Sequence, residues 1–371
     1  MRAVPHPSPP APLRAWRGSA GEATEPDASA CLHRQVHGPV ETGDRAAPRL
    51  LHPLAPQTEA WFGATGVRHH HDDGGLLHWA CDGQWLHATT VVDDRVHPQG
   101  LVGAARQAYE SLFTLLDRSG CRHPLKIWNY LAQINAVTDL PPGVVVPEAG
   151  RALERYRQFN AGRQQAFLAA HRSAFDGAPA ACALGTDGGP LTVHLLAGRT
   201  APIPIENPRQ VSAYRYPRDH GPAAPSFSRA ARLRPDPQRT ALFVSGTASI
   251  VGHHSLHIGD VQRQTAESLI NLDLLLVQAA SDRASDPTPP HADTRADAQA
   301  LALALDYTVY LRDAADLAAV RTTFEDWLSR HGDGPGRPCA RRTLYLRADI
   351  CRAELLVEIE AHGLLTHGAP A

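Results

Sequence analysis

No apolar run in the 371 residues approaches the roughly 18 needed to span a bilayer, so no membrane segment is expected. No CxxC pair is present either. The six cysteines (Cys31, Cys81, Cys121, Cys182, Cys339, Cys351) lie scattered, which argues against a zinc ribbon and against a disulfide framework. Neither sign of charge predominates: Lys plus Arg number 36 and Asp plus Glu 38, and a net charge of −2 gives no footprint for nucleic acid or an acidic membrane surface. The N-terminal stretch lacks the apolar h-region of a secretory signal. What is there is an ordinary globular composition, 43% apolar and 20% charged, of a length that suits two domains. A soluble, reduced, cytoplasmic protein is the expectation.

Residues 1–45 are rich in Pro, Ala, Arg and Gly without a helical or strand period, and read as a disordered or loosely attached extension. A second polar stretch, Ser281 to Gln299, reads as a surface insertion. Between these segments the chain repeats itself. Arg106-Gln107-Ala108-Tyr109-Glu110-Ser111-Leu112 answers Arg263-Gln264-Thr265-Ala266-Glu267-Ser268-Leu269, and each string opens an amphipathic helix. A strand-like run precedes each helix: ATTVVDD in one half and ALFVSGTASIVG in the other. A strand, a second helix and two closing strands follow. The order β-α-β-α-β-β therefore predicts an α+β protein of two tandem modules, 46–200 and 201–371, each a mixed sheet with two helices on one face.

The copies diverge on the last strand. Val357-Glu358-Ile359-Glu360-Ala361 in the second answers Val193-His194-Leu195-Leu196-Ala197 in the first. A carboxylate on a buried strand is expensive unless it has a partner or a task. Chemistry is therefore expected in the second copy, and the first copy is expected to be degenerate. Glu358 is the candidate acid, because burial raises a carboxyl pKa and keeps it protonated near neutrality. The bland alternative is an ion pair with Arg342. Glu360 shares its strand parity and faces the same side.

Two sets of residues carry resemblances. Phe227-Ser228-Arg229-Ala230, LFVSGTASIVG, GD-x-x-x-QT and the VEIEA strand occur in the order found in the YjgF/RidA family of small trimeric proteins that act on imines. The stretches PIENPRQVSAYRYPRDHGPAAPSFSRA (204–230), LFVSGTASIVGHHSLHIGDVQRQT (242–265), FNAGR (159–163) and ADICRAELLVEIEAHG (348–363) resemble the bacterial chorismatases, including 3-hydroxybenzoate synthases, over about residues 46–371. Members of that family fuse two YjgF-like modules. The resemblance implies chorismate as substrate, a hydroxybenzoate (the 3-isomer foremost, with the 4-isomer also allowed) and pyruvate as products, and no cofactor. The alternatives kept open are a chorismate hydrolase giving a dihydroxycyclohexadienoate, a non-catalytic small-molecule binder of the YjgF type and a generic imine deaminase. A monomer and a trimer-like assembly are both compatible with two fused modules.

For a small dianion with an acid-sensitive enol ether, the resemblance points to further residues. Arg163, Arg229, Arg342 and Arg347 are the candidate carboxylate forks, each with a plain surface charge as its alternative. Tyr214 and Tyr216, one residue apart in a segment taken as extended, would point their phenols the same way. Half-buried packing explains them as well. Phe227 belongs to the same Pro-bounded stretch. Gly246, Ala248 and Ser249 form a turn of small residues that lets a ligand approach the backbone. Cys351 stands where, in the chorismatase pattern, cysteine goes with an aromatic product and alanine with hydrolysis. It is expected to steer the outcome without acting as a nucleophile, and its alternative is a core filler. The runs His69-His70-His71-Asp72-Asp73 and His253, His254, His257 are not expected to bind metal, because 21 histidines produce local runs readily; His253 is allowed a hydrogen bond in the pocket.

Overall fold

The computed structural model describes residues 13–19, 27–38, 45–52, 57–64, 66–72, 74–173, 177–236, 239–281, 292–332 and 338–366. Its helices are α1 (Gly100–Ser119), α2 (Arg155–Ala169), α3 (Val261–Ala280), α4 (Ala292–Ala304), α5 (Leu317–Arg330) and the short α6 (Pro338–Arg342).

Each module is built on a seven-stranded sheet with the same wiring. In the first, the closing strand Leu191–Gly198 lies between Trp85–Val92 and His123–Ala132, antiparallel to both, and Ala180–Thr186 runs parallel to the far side of His123–Ala132. In the second, the closing strand Val357–Thr366 lies between Arg239–Thr247 and Asp306–Leu311, and Leu344–Arg347 runs parallel to Asp306–Leu311. The expected order of strands and helices is therefore present in both halves, with α4 inserted in the second as a third helix on its sheet where two were expected. The sheets also exchange edges. Asp349–Ile350 of the second module extends the first sheet beside Ala180–Thr186, and Arg49–His52 extends the second beside Leu344–Arg347.

Period-two alternation decides what each strand shows to which layer. Val193, Leu195 and Ala197 pack under α1 and α2, whereas Val357, Ile359 and Ala361 pack under α3, α4 and α5. The opposite faces of the two sheets meet each other, with Trp128, Tyr130 and Cys182 on one side and Phe243, Tyr310 and Leu346 on the other. Sheets covered on both faces carry nearly continuous apolar strands. Among the exceptions, His194 on the first closing strand and Glu358, Glu360 and His362 on the second are buried and have the parity of the layer between the sheets.

The segment before residue 46 departs from the expectation of a loose extension. Arg14–Ser19 and Cys31–His37 flank Gln57–Phe62 in a three-stranded sheet. The strand RAWRGS shows no amphipathic alternation that a sequence pattern could report. It is held by its ladder and by Arg17, which pairs with Glu59 and donates to Thr308 Oγ1 at 2.7 Å and to the Arg342 carbonyl at 3.0 Å. Residues 1–12, 20–26 and 39–44 lie outside the described residues, as do 282–291 of the polar insertion. Residues 292–299, also read as insertion, belong to α4, which buries Ala298, Leu301 and Ala302 against the second module's core. An Ala-rich helix with so narrow an apolar face leaves little periodic signal.

Candidate active site

Glu358 stands at the second position of its closing strand, 3% exposed, with its carboxyl facing a cavity of about 200 Å³. Three parts of the chain converge there. From the first module come Tyr156, Arg157 and Arg163 on α2, with Ala181, Cys182 and Ala183 on the adjoining strand. The connection between the modules supplies Tyr216, His220, Phe227 and Arg229, while the second module adds Gly246, Ala248, Cys351, Arg352 and Glu358. The site therefore sits between modules and is complete in neither.

The carboxyl of Glu358 makes no hydrogen bond with any described residue. Burial, then the nearby charge of Glu360, pushes it up to about 8 against the attraction of Lys126 and Arg229. Glu360, two residues on, meets the opposite environment. Lys126 Nζ lies 2.7 Å from it, and Tyr310 Oη and Trp128 Nε1 donate to its Oε1 at 2.6 and 3.1 Å. Burial opposes the charge on Glu360, but Lys126 and these donors outweigh it and hold this carboxyl below its usual value. One strand thus carries a protonated and an ionised carboxyl side by side. Gly246 makes room for the first, because a Cβ there would overlap the Glu358 carboxylate.

Three lining arginines retain an unused donor: Arg163 Nε, Arg229 Nε and Arg352 Nη2 are buried without a partner. One other nitrogen of each is anchored. Arg163 donates to Asn160 Oδ1 at 2.8 Å, Arg229 to the Val211 carbonyl and Tyr216 Oη at 2.8 and 2.7 Å, and Arg352 to the His253 carbonyl at 2.9 Å. Arg229 lies over the rings of Phe227 and Tyr216, and Arg352 over Tyr216. Guanidinium groups with spare donors, fixed by anchors and aromatic faces, have the geometry that suits bidentate hydrogen bonds to carboxylates. Cys351 lies beside them, and burial, then Glu358, pushes its thiol up to about 12. A raised thiol pKa disfavours the thiolate there.

The cavity brings together Glu358, Cys351, Arg163, Arg229, Tyr216, Phe227, Gly246 and Ala248 from the sequence expectations. Four expected residues lie elsewhere. Arg342, at the end of α6, forms an ion pair with Asp306, and Arg347 pairs with Asp187 beside Arg49 at the seam between the sheets. Tyr214 is buried in a single 3₁₀ turn, Ala213–Arg215, so the extended geometry that would aim both phenols together does not exist. Ser249 donates inward to the Leu256 carbonyl. His253 reaches His220 of the lining at 3.0 Å instead of entering the cavity itself. Sequence reasoning missed Tyr156, Arg157, His220 and Arg352. The nearest signal was the position of Arg352, next to Cys351 in the motif already quoted.

Residues 59–197 match the family described as chorismatase FkbO/Hyg5-like, N-terminal. A 3-hydroxybenzoate synthase of Streptomyces hygroscopicus is 34% identical over 84% of this chain and 83% of its own length. A chorismatase of Streptomyces rapamycinicus is 33% identical over 88% of this chain and 90% of its own. A crystal structure of a chorismatase superposes with a TM-score of 0.73 at 27% identity, covering 95% of this chain and 99% of the other.

Proposed function

The chain belongs to the chorismatase family, and from that premise we propose that its inter-module cavity converts chorismate to a hydroxybenzoate, foremost the 3-isomer, and pyruvate. The observation that carries this reading is Glu358, a buried carboxyl held protonated up to about pH 8 within a cluster of arginines with spare donors. Chorismate offers two carboxylates and an enol ether that reacts when its methylene carbon is protonated. Arg163, Arg229 and Arg352 bind the carboxylates, and Glu358 delivers the proton to the enol ether. The ring carbon–oxygen bond of the ether then breaks and pyruvate leaves with the ether oxygen. For the 3-isomer, the neighbouring ring hydroxyl gives up its proton, its oxygen bonds to the vacated carbon, and its bond to the original carbon opens as the oxygen is reprotonated. Aromatisation releases a ring proton, which returns the carboxyl to its starting state. Hydroxybenzoate and pyruvate together contain every atom of chorismate, so the net reaction uses neither water nor a redox partner. Positioning and one proton suffice.

Hydrolysis to a dihydroxycyclohexadienoate consumes one water, so exclusion of water decides the product. The wall of Ala181, Cys182, Ala183 and Cys351 is apolar where a nucleophilic water would need partners. Support for the 3-isomer comes from one of the matching relatives, a 3-hydroxybenzoate synthase, together with the cysteine at position 351. The test is to incubate the purified protein with chorismate and resolve the products by chromatography. Equal amounts of hydroxybenzoate and pyruvate are expected. Pyruvate without hydroxybenzoate would make the protein a hydrolase, and absence of turnover would make it a binding protein.

A further inference from the structure

The first module has its own polar cluster between the sheets, at the position where the second module has Glu358. His194 of Leu191–Gly198 stands beside His87 of Trp85–Val92, and the N-terminal strand Cys31–His37 brings His33 against both. One ring nitrogen from each of the three lies within 4.8 Å of the other two. His33 and His87 stack with centroids 3.7 Å apart, and Thr89 Oγ1, 2.8 Å from His194 Nδ1, orients the third ring. His33 Nε2 is buried without a hydrogen-bond partner. The three line a small polar cavity, about 10 Å³, the size of one water or one ion.

On the other side, His33 and His87 also line an open groove of about 350 Å³ together with His69, His70, His71 and His78. Six histidines thus line a path from solvent to the buried cluster. The exposed run His69–His71, which the proposed reaction leaves without a role, sits at its mouth.

We propose that His33, His87 and His194 bind one borderline-soft divalent transition-metal ion, of which Zn²⁺ is the representative, with a fourth position open toward the histidine-lined groove. All-imidazole donors select this class over Mg²⁺ or Ca²⁺, which take oxygen ligands. Tetrahedral coordination places nitrogens about 3.4 Å apart at ordinary Zn–N distances. Binding requires the 4.8 Å spread of the three nitrogens to contract by about 1.4 Å. Such an ion would fasten the N-terminal strand to the first sheet. None of the three ligands lines the cavity of Glu358, so the role is structural or regulatory and lies outside the proposed chemistry.

Chelator-treated, full-length protein titrated with Co²⁺ and then Zn²⁺ tests this. One Co²⁺ per chain is expected, with the intense visible absorption of a tetrahedral or five-coordinate site that Zn²⁺ displaces stoichiometrically. His33→Ala and His87→Asn should each weaken binding by about tenfold or more, whereas the double variant His70→Ala/His71→Ala should change it by less than about threefold. Circular dichroism of each variant separates loss of a ligand from loss of fold, and His33→Ala, on a partly exposed strand, is the informative variant if His87→Asn does not fold. Wild-type protein without the Co²⁺ band, binding unchanged in His33→Ala, or binding lost only in the groove variant would overturn the proposal.

Discussion

Lys126 of the first module forms a buried ion pair with Glu360 of the second, Nζ to Oε2 2.7 Å, with both side chains at most 4% exposed. This contact sorts the two carboxyls of the closing strand. Glu360 has a cation and two neutral donors and remains ionised; Glu358 has the resulting negative charge as a neighbour and remains protonated. A pair of carboxyls whose environments push their affinities for protons apart is the arrangement that yields one acid and one fixed charge.

Glu360→Gln therefore has two expected effects. With the negative charge gone and Lys126 left facing Glu358, the Glu358 carboxyl loses protons at lower pH. An acid works only while protonated, so activity is retained below its pKa and lost above it. The alkaline fall in pyruvate release should then move from about 8 toward neutrality or below. Lys126 is also left buried without its partner, and stability should drop by about 3–5 kcal/mol. Urea unfolding and a pH–rate profile of the same preparation read both. An unmoved alkaline limb would mean that Glu360 does not set the acidity of Glu358.

Cys351→Ala vacates space on the apolar wall beside Glu358 and admits water there. Pyruvate release should continue, because the acid and the arginines remain, while the product shifts from hydroxybenzoate toward the dihydroxy diene acid. If Cys351 only fills the core, stability falls by about 1–2 kcal/mol and the ratio of hydroxybenzoate to pyruvate stays the same. Product analysis with total pyruvate as the internal standard distinguishes the two.

Arg352→Met and Arg342→Met form a contrasting pair. The first removes a donor from the cavity, and a lost charge-assisted hydrogen bond of about 1.5–3 kcal/mol corresponds to a fall in kcat/KM of about tenfold to a hundredfold. The second breaks a partly exposed ion pair with Asp306 far from the cavity, which should cost about 0–1 kcal/mol in stability and leave KM unchanged. Steady-state kinetics on the two variants checks the assignment. A raised KM in Arg342→Met with normal kinetics in Arg352→Met would restore the arrangement that the sequence suggested.

The pattern of the chain made the module plan readable because both copies obey the same periods: two for strands and 3.6 for helices. Glu358 was readable for the opposite reason, as a carboxyl where the pattern calls for an apolar residue. Direction and distance were not readable. Arg342 lies near Leu344–Arg347 in sequence, yet its fork points to Asp306, and only the packing of α6 decides this. Arg157 and Arg163 lie about two hundred residues from Glu358 and reach the cavity from α2 through the packing of the two modules, a relationship that no local spacing encodes. Tyr214 failed for a smaller reason: a 3₁₀ turn and an extended strand put alternate residues on different sides. The N-terminal strands carried no alternation, since Arg17 and a ladder hold them instead of an apolar face.

The most direct measurement is the pH dependence of pyruvate release from chorismate by the wild-type protein beside Glu358→Gln. Glutamine keeps the shape of the side chain but cannot give up a carboxyl proton. The account predicts that wild-type activity is maintained at lower pH and falls as pH rises through about 8, and that the variant, folded normally, is slower by about 10²–10⁴-fold without that limb. Turnover of Glu358→Gln at the wild-type rate, with the same alkaline limb, would contradict it.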